Sequence, residues 1–84
     1  MADIDYSKLR SLTAREIVRA LLADGFVFRK QRGSHQRYLH RDGRRVTVTY
    51  HSSGATFVPK TLRSMIEEQA RWTEEDLRRL RLLD

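Results

Sequence analysis

The sequence contains no cysteine and no long apolar run. Without cysteine, disulfide bonds cannot stabilise the fold and thiolate metal sites are excluded, so stability must come from an apolar core. No stretch approaches the roughly 20 apolar residues of a membrane-spanning helix, and the first residues, Met-Ala-Asp-Ile-Asp-Tyr, lack the pattern of a signal peptide. We therefore expect a cytoplasmic protein with no membrane partner.

The chain is also short, because 84 residues allow one small domain and leave no room for a separate cofactor-binding domain. We expect a single domain over residues 1–84, with a core over about residues 14–70 and a helical tail over residues 73–84. No cofactor is expected.

Positive charge is concentrated in one segment of the chain. The net charge is +6, and residues 29–45 hold seven cationic side chains and one acidic one. The remaining residues hold ten basic and ten acidic side chains, which cancel. Arginine outnumbers lysine fourteen to three, which suits bidentate contacts with phosphate. Codon bias could explain isolated arginines but not their clustering, so the segment indicates a binding site for a polyanion such as a nucleic acid.

Local patterns predict a helix, three strands and two further helices. Thr13 and Glu16 have the spacing of a capping box, so the first helix begins at about residue 14 and ends near residue 24, before Gly25. Pro59 suits the first turn of the second helix, and Thr73 with Asp76 begins the last one. The predicted strands are residues 26–32, 35–40 and 45 to 50 or 51. The fold class is therefore α+β, a three-stranded antiparallel sheet with two helices on one face and the other face open to solvent.

The register of the second and third strands decides which side chains meet on the open face. Val46 and Val48 must face the core, and Tyr38 is the best core candidate on the second strand, so His35, Arg37 and Leu39 face solvent. Pairing Tyr38 with Val48 requires a three-residue loop, Asp42-Gly43-Arg44, and places His35 directly opposite His51. A two-residue loop would instead pair Tyr38 with Thr47 and separate the two histidines. Hydrophobic patterning favours the three-residue loop.

Two neighbouring histidines among arginines could cleave RNA without a metal ion. One imidazole would accept the proton of the 2′-hydroxyl, a protonated one would donate to the leaving 5′-oxygen, and arginine would neutralise charge on the phosphorane. Taken alone, His35 could equally be an ordinary polar surface residue, and Gly33-Ser34 an ordinary turn. A metal site is disfavoured because the histidines have no carboxylate nearby at ligand spacing except Asp42, at the far end of the hairpin. His40 lies at that end and is interpreted as structural, as Tyr38, Phe57 and Trp72 are.

The motifs of residues 14–70 resemble those of the HicA family of toxins, small messenger-RNA interferases of toxin-antitoxin pairs. The matching motifs are Asp24-Gly25-Phe26, Lys30-Gln31-Arg32-Gly33-Ser34-His35 with Tyr38, Asp42 to Val48, His51 and Thr61 to Ile66. Where this family commonly has a proline shortly before the second histidine, the chain has Thr49-Tyr50. The resemblance implies the fold of double-stranded-RNA-binding domains.

The resemblance also implies a function and a set of site residues. The protein would be an endoribonuclease acting on messenger RNA and inhibited by an acidic antitoxin of the HicB type. His35 would be the catalytic histidine of the Gly-Ser-His motif, and His51 a second candidate. The expected RNA-binding residues are Lys30, Arg32, Gly33, Ser34, Arg37 and Arg45.

Two other functions are consistent with a small basic domain. A non-catalytic RNA-binding module would use the same fold, but it gains little from imidazoles where arginine or lysine would bind better. A helix-turn-helix DNA-binding protein is disfavoured because the cations are concentrated on the hairpin and not on a helix that could enter a major groove.

Overall fold

The computed structural model of the protein describes residues 3–83. A short 3-10 helix, Tyr6–Lys8, precedes the first α-helix, and three strands separate that helix from the later ones. The elements are α1 (Ala14–Ala23), β1 (Val27–Arg32), β2 (His35–Leu39), β3 (Arg45–Thr49), α2 (Pro59–Arg63), a π-helical segment (Ser64–Gln69) that continues α2, and α3 (Glu74–Arg79). The predicted order of elements is confirmed. The last residue of the predicted tail, residue 84, lies outside the described residues.

Helix α1 begins and ends where its capping residues predict. The Thr13 side chain accepts from the Glu16 amide, and the Glu16 side chain accepts from the Thr13 amide, so the capping box is complete. Its apolar stripe is buried at Ile17 and Leu21. Gly25 follows with φ of +99°, a conformation that favours glycine. The helix is thus one residue shorter than predicted.

The three strands form an antiparallel sheet in the order β1, β2, β3. Helix α1 and the π-helical segment both pack on β3, so one face of the sheet is covered. The core beneath the helices includes Tyr38, Val46 and Val48, all at most 3% exposed. All six residues of β1 are exposed, because this strand lies at the edge away from the helices. The predicted α+β layer arrangement is confirmed.

The helix after the sheet closes the other edge. Pro59 occupies the first turn of α2, and Leu62, Met65 and Ile66 are buried beneath the sheet. In the π-helical segment, the Gln69 side chain accepts from the Thr47 amide at 2.9 Å and so covers the outer edge of β3. The outer edge of β1, in contrast, is open.

Both ends of the chain pack onto this core. Leu9 is fully buried, and the Tyr6 hydroxyl donates to the Glu67 carboxylate. Burial, together with the hydrogen bond to Glu67, raises the pKa of the Tyr6 hydroxyl. At the other end, the capping box of Thr73 and Asp76 begins α3, and Leu77 is fully buried. The interpretation of Trp72 as a packing residue is confirmed, because its side chain is buried and its ring contacts Phe26.

Candidate functional site

The open face of the sheet carries the cationic segment. A β-bulge in β1 changes the pairing with β2 from Phe28 opposite Tyr38 to Lys30 opposite Arg37. After this change Arg32 lies opposite His35. Since residues directly opposite each other in an antiparallel pair lie on the same face, the bulge brings Lys30 and Arg32 beside Arg37 and His35.

These side chains surround a cleft. It has a volume of about 260 Å³ and is lined by Lys30, Arg32, His35, Arg37 and Thr47. Three of the five lining residues are cationic, and none of the five is acidic. Lys30, Arg32 and Arg37 form no ion pair with any of residues 3–83. The cleft is therefore an electropositive depression with one imidazole in its wall.

The turn before His35 is held from both sides. The Gln31 side-chain amide donates to the Gly33 carbonyl at 2.9 Å, and the Tyr50 amide donates to the Ser34 carbonyl at 2.6 Å. Gly33 has a φ of +58°, in the left-handed region. His35 is the first residue of β2, so these contacts set where its side chain enters the cleft.

The predicted pairing of His35 with His51 is wrong. The structure pairs His35 with Thr49 and Tyr38 with Val46, not with Val48. The hairpin loop does contain three residues, but they are residues 41–43 and not residues 42–44, because His40 and Arg44 close the loop. His51 is exposed and lies two residues beyond the end of β3.

The contacts of Arg44 explain the shift. Its guanidinium donates to Asp42 at 2.8 Å, to Asp24 at 3.2 Å and to the Ala70 carbonyl at 2.6 Å. These partners hold Arg44 against the body of the domain, where it serves as a pairing residue and not as a loop residue. The shift in pairing is two residues, which preserves the face of every side chain. His35 and Arg37 therefore stay on the open face, as predicted.

Arg44 is also the cation of the basic segment that the fold itself uses. Asp24 accepts hydrogen bonds from Arg44, from the Trp72 indole and from Arg79. Burial alone would raise the pKa of the Asp24 carboxyl, but the hydrogen bonds from Trp72 and Arg79 and the charge of Arg44 hold it below its ordinary value. We call this group, Asp24 with Arg44, Trp72 and Arg79, the Asp24 cluster.

His40 belongs to the same end of the hairpin. Its Nε2 atom lies 2.9 Å from the Asp24 carbonyl, its Nδ1 atom accepts from the Asp42 amide at 3.1 Å, and its ring packs edge-on against Phe26. The interpretation of His40 as a structural residue is confirmed.

The remaining predicted site residues are distributed over the open face. Arg45, opposite Leu39, lines a second cleft beside the first, together with Lys30 and Arg37. Gly33 and Ser34 lie in the turn between β1 and β2. Thr47 was not among the predicted site residues, although its alternation with Val46 and Val48 placed it on the open face. Within residues 3–83, no three histidine, cysteine, aspartate or glutamate side chains are grouped so as to hold a metal ion.

The helix, three antiparallel strands and following helices match the arrangement of double-stranded-RNA-binding domains, and the open face of this one carries a cationic cleft. A family model described as the HicA toxin of bacterial toxin-antitoxin systems matches residues 14–72. The match spans more than half of the chain, and the chain belongs to this family of toxins. No curated protein matches the chain. None of the helices in residues 3–83 is long and apolar enough to cross a membrane.

Proposed function

We propose that this HicA-family toxin is an endoribonuclease that cleaves messenger RNA by acid-base catalysis at His35, without a metal ion. The observation that carries the proposal is the composition of the cleft, in which one imidazole stands among Lys30, Arg32 and Arg37 and none of the lining residues is acidic. Cations attract the phosphate backbone, and the imidazole is suited to proton transfer. The same cations would repel a metal ion, which supports a metal-independent reaction.

The reaction needs two proton transfers. The neutral His35 imidazole accepts the proton of a 2′-hydroxyl, and the oxygen attacks the adjacent phosphorus. The bond from phosphorus to the 5′-oxygen breaks, and that oxygen takes up a proton. The products are a 2′,3′-cyclic phosphate and a free 5′-hydroxyl. Lys30, Arg32 and Arg37 would neutralise the additional negative charge of the phosphorane between these steps.

The second proton has two candidate sources. His51 is one, because it continues the alternation of Thr47 and Thr49, but Thr49 and not His51 is the direct partner of His35. Water is the other, since the cleft is open to solvent. Replacing His51 by alanine distinguishes them, because loss of a general acid slows cleavage by about 100-fold or more. Cleavage at the parental rate by this variant would assign the step to water or to another side chain.

An acidic antitoxin of the HicB type is the proposed partner. The open face presents clustered cations, and the rest of the chain carries no excess of charge. An antitoxin that covered this face would occupy the surface proposed to bind RNA, which explains inhibition without any change in the toxin fold. Both partners would act in the cytoplasm, where messenger RNA is translated.

Product chemistry tests the enzymatic proposal directly. Purified protein is incubated with end-labelled single-stranded RNA in the presence of a chelator, and the 3′ ends of the products are identified. We expect cleavage with 2′,3′-cyclic phosphate ends, and no cleavage by the His35→Ala variant. Activity that disappears in chelator and returns with magnesium would contradict the mechanism. RNA binding without any cleavage would favour the non-catalytic RNA-binding module.

A growth assay tests the role in the cell. Induced expression should arrest growth, and the His35→Ala variant should not. Co-expression of the product of the adjacent gene, if that product is a small acidic protein, should restore growth and abolish cleavage in the purified complex. Growth arrest by a folded His35→Ala variant would contradict the assignment of His35.

A further inference from the structure

We propose that the open face carries a second subsite, formed by Arg29, Leu39 and Arg45, which binds a nucleotide flanking the scissile phosphate of a single-stranded RNA. This inference rests on the proposed function, because it assigns the scissile phosphate to the cleft of His35. It adds a substrate requirement, namely that the RNA must extend beyond the two nucleotides joined at the cleaved bond.

The bulge in β1 builds one wall of this subsite. Phe28 pairs with Tyr38 and Lys30 pairs with Arg37, so Arg29 is the additional residue. In a bulge two residues oppose one, and Arg29 and Lys30 thus oppose Arg37 together. An uninterrupted ladder would have one cation at this place, and the bulge provides two.

A second cleft lies at this place. It has a volume of about 330 Å³, and Arg29, Lys30, Arg37, Leu39 and Arg45 are among its lining residues. Lys30 and Arg37 also line the cleft of His35, so the two clefts are continuous. His35, Arg37 and Leu39 follow each other at every second position of β2, at intervals of about 6.7 Å. An RNA strand that runs along β2 from His35 would therefore reach Leu39 next.

The floor of the second cleft is partly apolar. Val27, which is 54% exposed, pairs with Leu39 on the open face, and Leu39 pairs with Arg45 on its other side. A site for phosphate alone has no use for an exposed aliphatic pair. A nucleotide has both an apolar face and a charged phosphate, and single-stranded nucleic acids are bound by this combination of cations and flat apolar contacts. The exposure of Leu39, which is unfavourable for the fold, is thereby explained.

The cations of this cleft are free to bind. Arg29, Lys30, Arg37 and Arg45 form no ion pair with any of residues 3–83. An acidic protein segment could also be attracted here, but the continuity with the cleft of His35 favours the RNA that His35 would cleave.

Cleavage of two substrates tests the subsite. One is a dinucleotide, and the other is a 12-nucleotide single strand that contains the same cleavable step. We expect the Arg29→Gln/Arg45→Gln variant to reduce kcat/KM for the longer RNA by about tenfold or more, because charge-assisted hydrogen bonds to the RNA are removed, with less than about a twofold change for the dinucleotide. Arg19→Gln removes an exposed cation from α1 and is the matched control, which should change neither value.

Binding provides a second measurement that does not depend on cleavage. In the His35→Ala background, affinity for the 12-nucleotide RNA is measured against salt concentration. Removal of one cation that neutralises a phosphate should reduce the slope of log K against log salt by about 0.7 for a single strand. The Leu39→Ala change should weaken binding without changing the slope. Circular dichroism and thermal unfolding verify that each variant is folded.

The outcomes separate the subsite from the proposed function. If the wild-type protein cleaves neither RNA, the enzymatic proposal fails, and the binding measurement still decides the subsite. If the Arg29→Gln/Arg45→Gln variant binds and cleaves the longer RNA like the parent, the subsite is wrong and His35 catalysis is untouched. Equal losses on the dinucleotide and the longer RNA would also overturn the subsite. RNA binding at the parental level with loss of binding to an acidic antitoxin would reassign the cleft to a protein partner.

Discussion

The two ends of the β2–β3 hairpin use the same residue types in opposite ways. At the loop end, Arg44 and His40 are bound to Asp24, Asp42 and backbone carbonyls. On the open face, Arg37 and His35 line a cleft in which none of the lining residues is acidic. An arginine surrounded by acceptors belongs to the fold, whereas an arginine grouped with other cations is available to a polyanion. Sequence position alone does not separate the two, since Arg44 and Arg45 are neighbours.

Burial explains why the two ends differ. The Arg44 side chain is only 16% exposed, and a guanidinium removed from water needs partners that replace its hydration. The cations of the open face remain hydrated, so they need no partners. Their mutual repulsion lowers stability slightly, and a bound anion relieves it. The open face is thus prepared for a ligand that the fold does not supply.

The largest expected effect separates the two histidines. His35→Ala should reduce RNA cleavage by about 100-fold or more, because a general acid or base is lost, while the free energy of unfolding stays within about 0.5 kcal/mol of the parent. His40→Ala should keep the cleavage rate per folded molecule and lose about 1–3 kcal/mol of stability, because it leaves buried polar partners unsatisfied. The measurements are single-turnover cleavage and urea unfolding. The reverse pattern would show that the histidine roles are exchanged.

The arginines should separate in the same way. Arg44→Gln should lower the free energy of unfolding by about 2–3 kcal/mol, because the Asp24 carboxylate and the Ala70 carbonyl lose a charged donor. Arg37→Gln should leave stability within about 0.5 kcal/mol and reduce the salt slope of RNA binding by about 0.7. Equilibrium unfolding and RNA titrations at several salt concentrations measure both effects. A salt slope unchanged in Arg37→Gln would remove this residue from the RNA interface.

Acid should weaken the Asp24 cluster and not the open face. The pKa of the Asp24 carboxyl is lowered in the folded state, so its contribution to stability is present above the ordinary value of about 3.9 and is lost as the pH falls through the lowered value. Asp24→Asn should therefore cost about 2 kcal/mol at pH 7, and less as the pH falls below about 4. Urea unfolding at several pH values measures the difference. Asp3→Asn, at an exposed position, should change stability at pH 7 by less than about 0.5 kcal/mol. A cost for Asp24→Asn that does not vary with pH would contradict the electrostatic account.

The smallest expected effects concern two glycines, one near each region. Gly25→Ala would place a Cβ 3.1 Å from His40 Nε2 at a φ of +99°, so strain and contact both oppose it. Gly33→Ala meets no described atom within 4 Å, and its cost should be about 1 kcal/mol, from its φ of +58° alone. Thermal unfolding should rank Gly25→Ala as the more destabilised. A loss of RNA affinity in folded Gly33→Ala would show that RNA approaches this turn closely, as its assignment to the RNA-binding residues predicts.

Local patterns predicted the elements well because their causes are local. The capping boxes of Thr13 and Thr73, the proline of α2 and the alternation of β3 each depend on neighbours within a few residues. The assignment of His35 and Arg37 to the open face is equally local, since a strand alternates whatever its partner. The catalytic and RNA-binding roles of these residues stay predictions that the experiments above test.

The sequence by itself determined which faces of the strands are polar and where the positive charge lies, because alternation and composition do not depend on pairing. Only the tertiary structure decided which residues meet. The Asp24 cluster holds Arg44 out of the hairpin loop and thereby pairs His35 with Thr49, and the bulge at Arg29 brings Lys30 and Arg32 beside His35. Both decisions depend on interactions between segments far apart in the chain, such as Asp24 with Arg44 and Trp72, which no local pattern encodes.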